Sequence, residues 1–263
     1  MVFLMQMYLL LCRHWFMIKD SLVDSVINYV FVWPFLWGIS NGTFLPAASF
    51  GSQGAIAKGT ELVLGMLLLQ LMVGTFMPLV LLLGEREESG ILRYHVMATS
   101  YAAAFFSRLF FFTLYTALMM MPFFPMVKLF IGSNLYTDQL NWFALEGFVF
   151  LASAMAISYG FCVFGLIRTM HDIEYAWSYG IEPFLWLSGM WVPVYAIAKC
   201  GVPGINWVLL CNPFAYMTEA LRQLFFHEVC FAPFSQCMAV MVSSTLFFIL
   251  AGYWLLKRRL KAV

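Results

Sequence analysis

The sequence predicts an all-α, polytopic membrane protein with six transmembrane helices, and three observations carry that prediction. Composition is the first: 63% of the 263 residues are hydrophobic and only 10% are charged, with mean hydropathy +0.87, against roughly 25% charged residues in soluble domains. The second is length. Apolar runs recur at the size needed to cross a hydrocarbon core of ~30 Å, which takes about 20 helical residues at ~1.5 Å each. The third is the distribution of Lys and Arg, which sorts the connections into a basic side and a poorer one. No Ser/Gly/Pro linker and no fixed-period repeat divides the chain, so residues 1–263 read as one compact bundle.

Taken in order, Val2 to Asp20 precedes the first span and lacks the basic start and the A-x-A site of a signal peptide. Gln6, Arg13 and Asp20 recur every seven residues, a narrow polar stripe on an otherwise apolar helix, as expected of a helix over 1–20 lying in the headgroup plane. The six spans run from Leu22 to Ile39, Thr60 to Leu83, Phe105 to Ile131, Leu140 to Ile167, Ala176 to Ala198 and Gln236 to Leu256. Pro122 and Pro125 predict a kink in the overlong third, near Met121. With the N-terminus inside, ten of the fourteen Lys and Arg fall on the cytoplasmic side, among them Arg13, Arg86, Arg93, Arg108, Arg168 and the basic tail from Lys257. Both termini are then cytoplasmic, in agreement with an even number of spans.

The passage GEREESGILRYHVMATS, Gly84 to Ser100, therefore faces the cytoplasm. Arg86 and Arg93 share a helical face while Ile91, Leu92 and Val96 fall mainly to another, so a short helix over 85–100 that rests against a soluble partner is one reading. A solvated loop with snorkelling arginines is the other.

A second polar passage follows the fifth span. Ser188-Gly189 and Pro193 lead to Asn212-Pro213, Tyr216, Glu219-Ala220 and Arg222. This order and spacing resembles the C-terminal signature of the type-2 ABC exporter permeases, and Glu85 to Ser100 is similar to the coupling-helix region between the second and third spans of that family. The resemblance extends over essentially the whole chain, including the N-terminal helix and the basic tail.

The resemblance implies the membrane-spanning half of an exporter, which pairs with a second permease copy, as a homodimer, and with separate ATPase subunits that bind ATP and Mg. The chain itself has no G-x-x-x-x-G-K-[ST] phosphate loop and would carry no cofactor, so it is not expected to be an enzyme. Glu85, Arg86, Glu87, Glu88, Gly90 and Arg93 are the candidates for coupling to the ATPase, with Arg168, His171, Asp172 and Glu174 as lesser ones. Asn212, Pro213, Tyr216, Glu219 and Arg222 fall in a segment, 199–235, that the family places on the outer side as a re-entrant or surface helix. The implied location is the plasma membrane, in a bacterium the inner one, and the implied cargo an amphipathic drug, lipid or lipid-linked glycan.

Ionisable groups inside a span cost several kcal/mol unless paired or wet. Glu182, beside Pro183, either lines a substrate path or bonds a backbone group freed by the proline; Asp24 and Asn28, one turn apart in the first span, are path candidates or interhelical hydrogen-bond partners. Arg108 is expected to snorkel to headgroups. Glu219 and Arg222, three apart, would meet on one helical face as a salt bridge or help shape an exit. His227-Glu228 has no nucleophile beside it. The scattered Cys12, Cys162, Cys200, Cys211, Cys230 and Cys237 have no metal spacing, though the last four permit a disulfide. The few basic residues do not form a nucleic-acid surface. An ion-coupled carrier working alone, with Glu182 or Asp24 as its proton site, is the alternative class; the lack of paired broken spans argues against it.

Overall fold

The computed structural model describes residues 3, 5–15, 64–65, 67–72, 100–131, 140–167, 172–189, 197, 203–226 and 231–261. Among these, every regular element is helical. We label residues 5–15 α1, residues 67–72 α2, Tyr101–Met120 α3, Phe123–Ile131 α4, Trp142–Leu166 α5, Asp172–Tyr175 α6, Glu182–Trp186 α7, Ile205–Cys211 α8, Pro213–Phe226 α9 and Phe234–Lys261 α10. A π-helical segment, Ala176–Ile181, joins α6 to α7.

Local chemistry explains the boundaries. Ser100 caps α3, its hydroxyl accepting the Ala103 N–H at 3.2 Å, and Asn141 caps α5 by accepting the Ala144 N–H at 3.2 Å. The chain turns at Met121–Pro122, where proline supplies no N–H, and resumes as α4. Three stretches are long and apolar enough to cross a membrane, Tyr101–Leu129, Trp142–Leu166 and Phe234–Arg258. They match the predicted third, fourth and sixth spans. The predicted first span, Leu22 to Ile39, lies outside the described residues, and of the second only 64–65 and 67–72 are described, as buried helix.

The predicted fifth span, Ala176 to Ala198, is described over 172–189: helix is already present from Asp172, the register changes through the π-helical segment, and a turn covers Leu187–Gly189 with Gly189 at φ 84°. A left-handed glycine stops a helix without strain.

The centre of the bundle is α5, packed against α10, α3 and α9. Apolar on every side, it has no single inward stripe. Its approach to α10 depends on glycine: a Cβ added at Gly165 would fall 2.7 Å from the Leu255 Cβ, and one at Gly252 3.3 Å from the Phe161 Cβ. One turn before Gly252 the Phe248 carbonyl accepts the Cys162 thiol at 3.0 Å. Tyr101 ties α3 to α10 by donating to the Tyr253 carbonyl at 3.0 Å, and Phe105 packs edge-on against Phe161 and Tyr253.

One polar side chain departs from its predicted place. Arg108 is 4% exposed, so it is held inside the bundle instead of reaching for headgroups. Gln6, predicted to belong to a stripe facing the headgroups, accepts the Ser100 N–H at 3.4 Å, while His14 packs against Phe111 and Phe112 with centroids 5.5 and 6.0 Å away. These contacts fall along α1 and α3 in the same order, so α1 follows α3 over its first half. Met5, Tyr8, Leu9 and Trp15 face outward from it.

Candidate functional site

The predicted fifth span, as described over 172–189, and the helices α8 and α9 form one fastened unit, built around backbone groups that ordinary α-helix would have satisfied. In the π-helical segment the Glu182 N–H reaches back to the Trp177 carbonyl, five residues earlier. Pro183, next in sequence, has no N–H to offer. The wide turn accommodates that gap. Gly180, inside the segment, has its carbonyl taken by the Tyr159 hydroxyl of α5. The Tyr159 ring meets Phe184, Phe214 and Phe248 edge-on, at 5.9, 5.2 and 5.2 Å between centroids. One residue of α5 thus touches α7, α9 and α10 together.

At the other end of α7 a second fastening occurs. Ser188 turns its N–H to the Leu185 carbonyl at 3.0 Å and its hydroxyl to the same oxygen at 2.6 Å. The Phe184 carbonyl, which an extra α-turn would have engaged through Ser188, is left for another donor. Asn212 supplies it, Nδ2 donating at 2.9 Å, while its Oδ1 accepts the Phe214 N–H at 3.0 Å. Asn212 is 1% exposed and sits just before Pro213. It therefore caps α9 and clasps the fifth span with one amide, and proline fits the first helical position because its missing N–H would have gone unused there.

The rest of the predicted outer motif turns inward. Tyr216 donates to the Leu210 carbonyl, opened at the end of α8, at 3.2 Å, and its ring packs edge-on against Phe231. Burial, foremost, raises the Tyr216 phenol above its ordinary value, with Cys237 and Cys211 adding to the shift, so it remains a donor. Glu219 has no solvent exposure. Its Oε1 accepts from Gln223 Nε2 at 2.9 Å and from the Phe231 N–H at 3.1 Å, and Gln223 also donates to the Ala232 carbonyl. Arg222, 8% exposed, shares the buried circumference of α9. This helix is enclosed over almost all of Phe214–Gln223. Cys211 and Cys237 are free thiols.

Sequence reasoning paired Glu219 with Arg222 and missed Gln223, although a spacing of four was there to be read. It also missed Tyr159, for which no local signal exists. Glu182 is half-exposed, and its carboxylate accepts Trp186 Nε1 at 3.2 Å, one turn on, in place of a backbone group near Pro183. Glu174 is exposed and Asp172 half-buried. Asp24, Asn28, Glu85, Arg86, Glu87, Glu88, Gly90, Arg93, Arg168 and His171 lie outside the described residues, as do Cys200, Cys230, His227 and Glu228.

Comparison with known proteins agrees with this architecture. No curated protein matches the chain. The family model described as ABC-2 type transporter matches residues 1–226, which takes in every element from α1 through α9. A multi-pass chain with apolar helices of crossing length, matched over most of its length by that model, belongs to the ABC-2 type transporter family as a membrane permease.

Proposed function

We propose that this permease is the membrane subunit of an exporter. Two copies would join two separate ATPase subunits, and ATP and Mg bound there would drive an amphipathic molecule, a drug, a lipid or a lipid-linked glycan, outward by alternating access. The single observation that supports this most is the family match over residues 1–226. Members of the family work with ABC ATPase partners, and this chain has no phosphate loop of its own. The proposed setting is a bacterial inner membrane, with both termini in the cytoplasm.

In this reading the charged passage Glu85, Arg86, Glu87, Glu88, Gly90 and Arg93 docks on the ATPase. Closing of the nucleotide subunits must reach the spans through a stiff contact, and a short charged helix between two spans meets that need. The fifth span supplies part of the path, with Glu182 on it and Asp24 and Asn28 in the first span as further candidates. The unit of α7, α8 and α9 lies at its outer end.

The test is reconstitution of the chain with an ABC ATPase partner that co-purifies with it, comparing wild type with the double variant Glu87→Arg, Arg93→Glu. The expected result is ATP hydrolysis without transport, with membrane insertion unchanged. Transport at the wild-type rate by the double variant removes the docking assignment. Transport with no ATPase present that collapses with the proton gradient would make the chain an ion-coupled carrier instead.

A further inference from the structure

The outward face of the fifth span carries aromatic rings and acids and no base. Tyr175, Tyr179 and Trp186 are 57%, 77% and 56% exposed. Tyr175 and Tyr179 lie nearly parallel, their centroids 6.3 Å apart and their planes 11° apart. Glu174 is exposed at the start of this face and Glu182 is half-exposed along it, one turn before Trp186. Residues 172–189 contain no Lys, Arg or His. Among the described residues, Glu182 bonds Trp186 alone, through Oε1, so Oε2 remains available to a ligand.

A carboxylate on an otherwise apolar helix is costly against hydrocarbon and stabilised by water or a cation. That separates this face from the lipid-facing sides of the bundle. The chemistry around Glu182 also selects the kind of cation. Electron-rich faces of Tyr and Trp attract positive charge when it lies within about 6 Å of the ring, and the rings supply apolar area to a hydrophobic ligand. A metal ion would need converging oxygen or nitrogen ligands, and among the described residues no group of three or more His, Cys, Asp or Glu converges. An anion would meet Glu174 and Glu182 with no base within 172–189 to offset them.

We infer that the Tyr175, Tyr179, Glu182 and Trp186 face binds amphipathic organic cations, of the quaternary ammonium or phosphonium kind, and that these are the substrate class of the path. The inference rests on the reading that the fifth span lines that path. Glu182 contributes the charge, Tyr175 and Tyr179 the flat apolar surface nearer the cytoplasmic connection, and Trp186 both a ring and the N–H that fixes the carboxylate.

Tetraphenylphosphonium and tetraphenylborate have nearly the same shape and opposite charge, which makes them the probes. Saturable binding of each, displaced by excess unlabelled ion, is measured on the complete assembly in lipid nanodiscs. The cation is expected to bind saturably and the borate not. Glu182→Gln should weaken cation binding by about tenfold or more, Glu182→Asp should retain most of it, and Trp186→Ala should weaken it less than Glu182→Gln. Equal saturable binding of both ions, or a cation isotherm that Glu182→Gln leaves unchanged, overturns the assignment. The response of ATP hydrolysis to amphiphiles separates the two layers of the argument. If neutral or anionic amphiphiles stimulate hydrolysis and substitutions at Glu182 and Trp186 blunt that response, the cation class falls and the path stands. If no substitution on this face alters any response, the path reading falls with it.

Discussion

Glu182 and Glu219 are the same residue in neighbouring parts of one fastened unit, and their surroundings give them opposite work. Glu219 has no exposed surface, and its Oε1 is taken by an amide from its own helix and by the Phe231 N–H of the following loop. It ties α9 to the entry of α10. Glu182, half-exposed, meets one indole N–H among the described residues. A fully buried carboxylate tied to its own helix and to the following loop holds structure together, whereas a half-exposed one beside exposed aromatic rings is within reach of a ligand. The contrast extends to the helices: 67% of the apolar window of α5 is buried within the chain but only 22% of that of α10, so position in the bundle and not hydropathy decides what each can contact.

The largest expected effect on stability is at Glu219. Glu219→Ala leaves the Gln223 amide and the Phe231 N–H without their shared acceptor inside the protein, at a cost of about 2–4 kcal/mol. Glu219→Gln, which keeps one carbonyl acceptor, should cost less. Thermal unfolding of the purified protein in detergent checks both, with Glu182→Gln as the reference, expected to stay within about 0.5 kcal/mol of wild type. Should Glu182→Gln unfold the protein as readily as Glu219→Ala, the division between fastener and binding group is wrong.

A smaller effect is expected at Asn212, which belongs to both halves of the comparison. Asn212→Ala removes the cap of α9 and the donor to the Phe184 carbonyl, about 1–2 kcal/mol together. Asn212→Asp separates the two jobs: it keeps an acceptor for the Phe214 N–H and loses the donor to Phe184. Hydrogen exchange should then quicken around the end of α7 in both variants, but around the start of α9 only in the alanine. Identical exchange patterns in the two variants would mean that the clasp on the fifth span carries no weight.

The start of α9 was readable because its signal is local: Asn followed by Pro is an N-cap and a first helical residue wherever it occurs. The same holds for the break at Pro122 and for the third, fourth and sixth spans, whose predicted ends lie within a few residues of Tyr101–Leu129, Trp142–Leu166 and Phe234–Lys261. What the sequence concealed depends on neighbours distant along the chain. In a helix apolar nearly all round, little marks the inward side, so the burial of Arg108 had no periodic signature. The register change in the fifth span had a partial one, Gly180 to Pro183, which marks a weak place in a helix without saying which donor will take up the slack. The charged passage 84–100, so prominent in the sequence, lies almost wholly outside the described residues, and its role stays with the docking experiment.

Tyr159 sharpens the comparison from the smallest change. Tyr159→Phe deletes the hydroxyl that holds the Gly180 carbonyl and keeps the ring that packs on Phe184, Phe214 and Phe248. A single hydrogen bond of this kind contributes about 1 kcal/mol, so the drop in unfolding temperature should be the least of the series. Its location is the informative part. If Tyr159 holds the π-helical register, the lost bond loosens Ala176–Ile181, and hydrogen exchange there should rise while α9, fastened through Glu219 and Gln223, stays protected. Glu182 follows that segment directly, so its carboxylate would be less well placed and binding of tetraphenylphosphonium should weaken by about two- to threefold, a change of well under 1 kcal/mol. Loosening of α9 in place of the fifth span would mean that Tyr159 acts through its contact with Phe214, and the register of the π-helical segment would then be set by Pro183 alone.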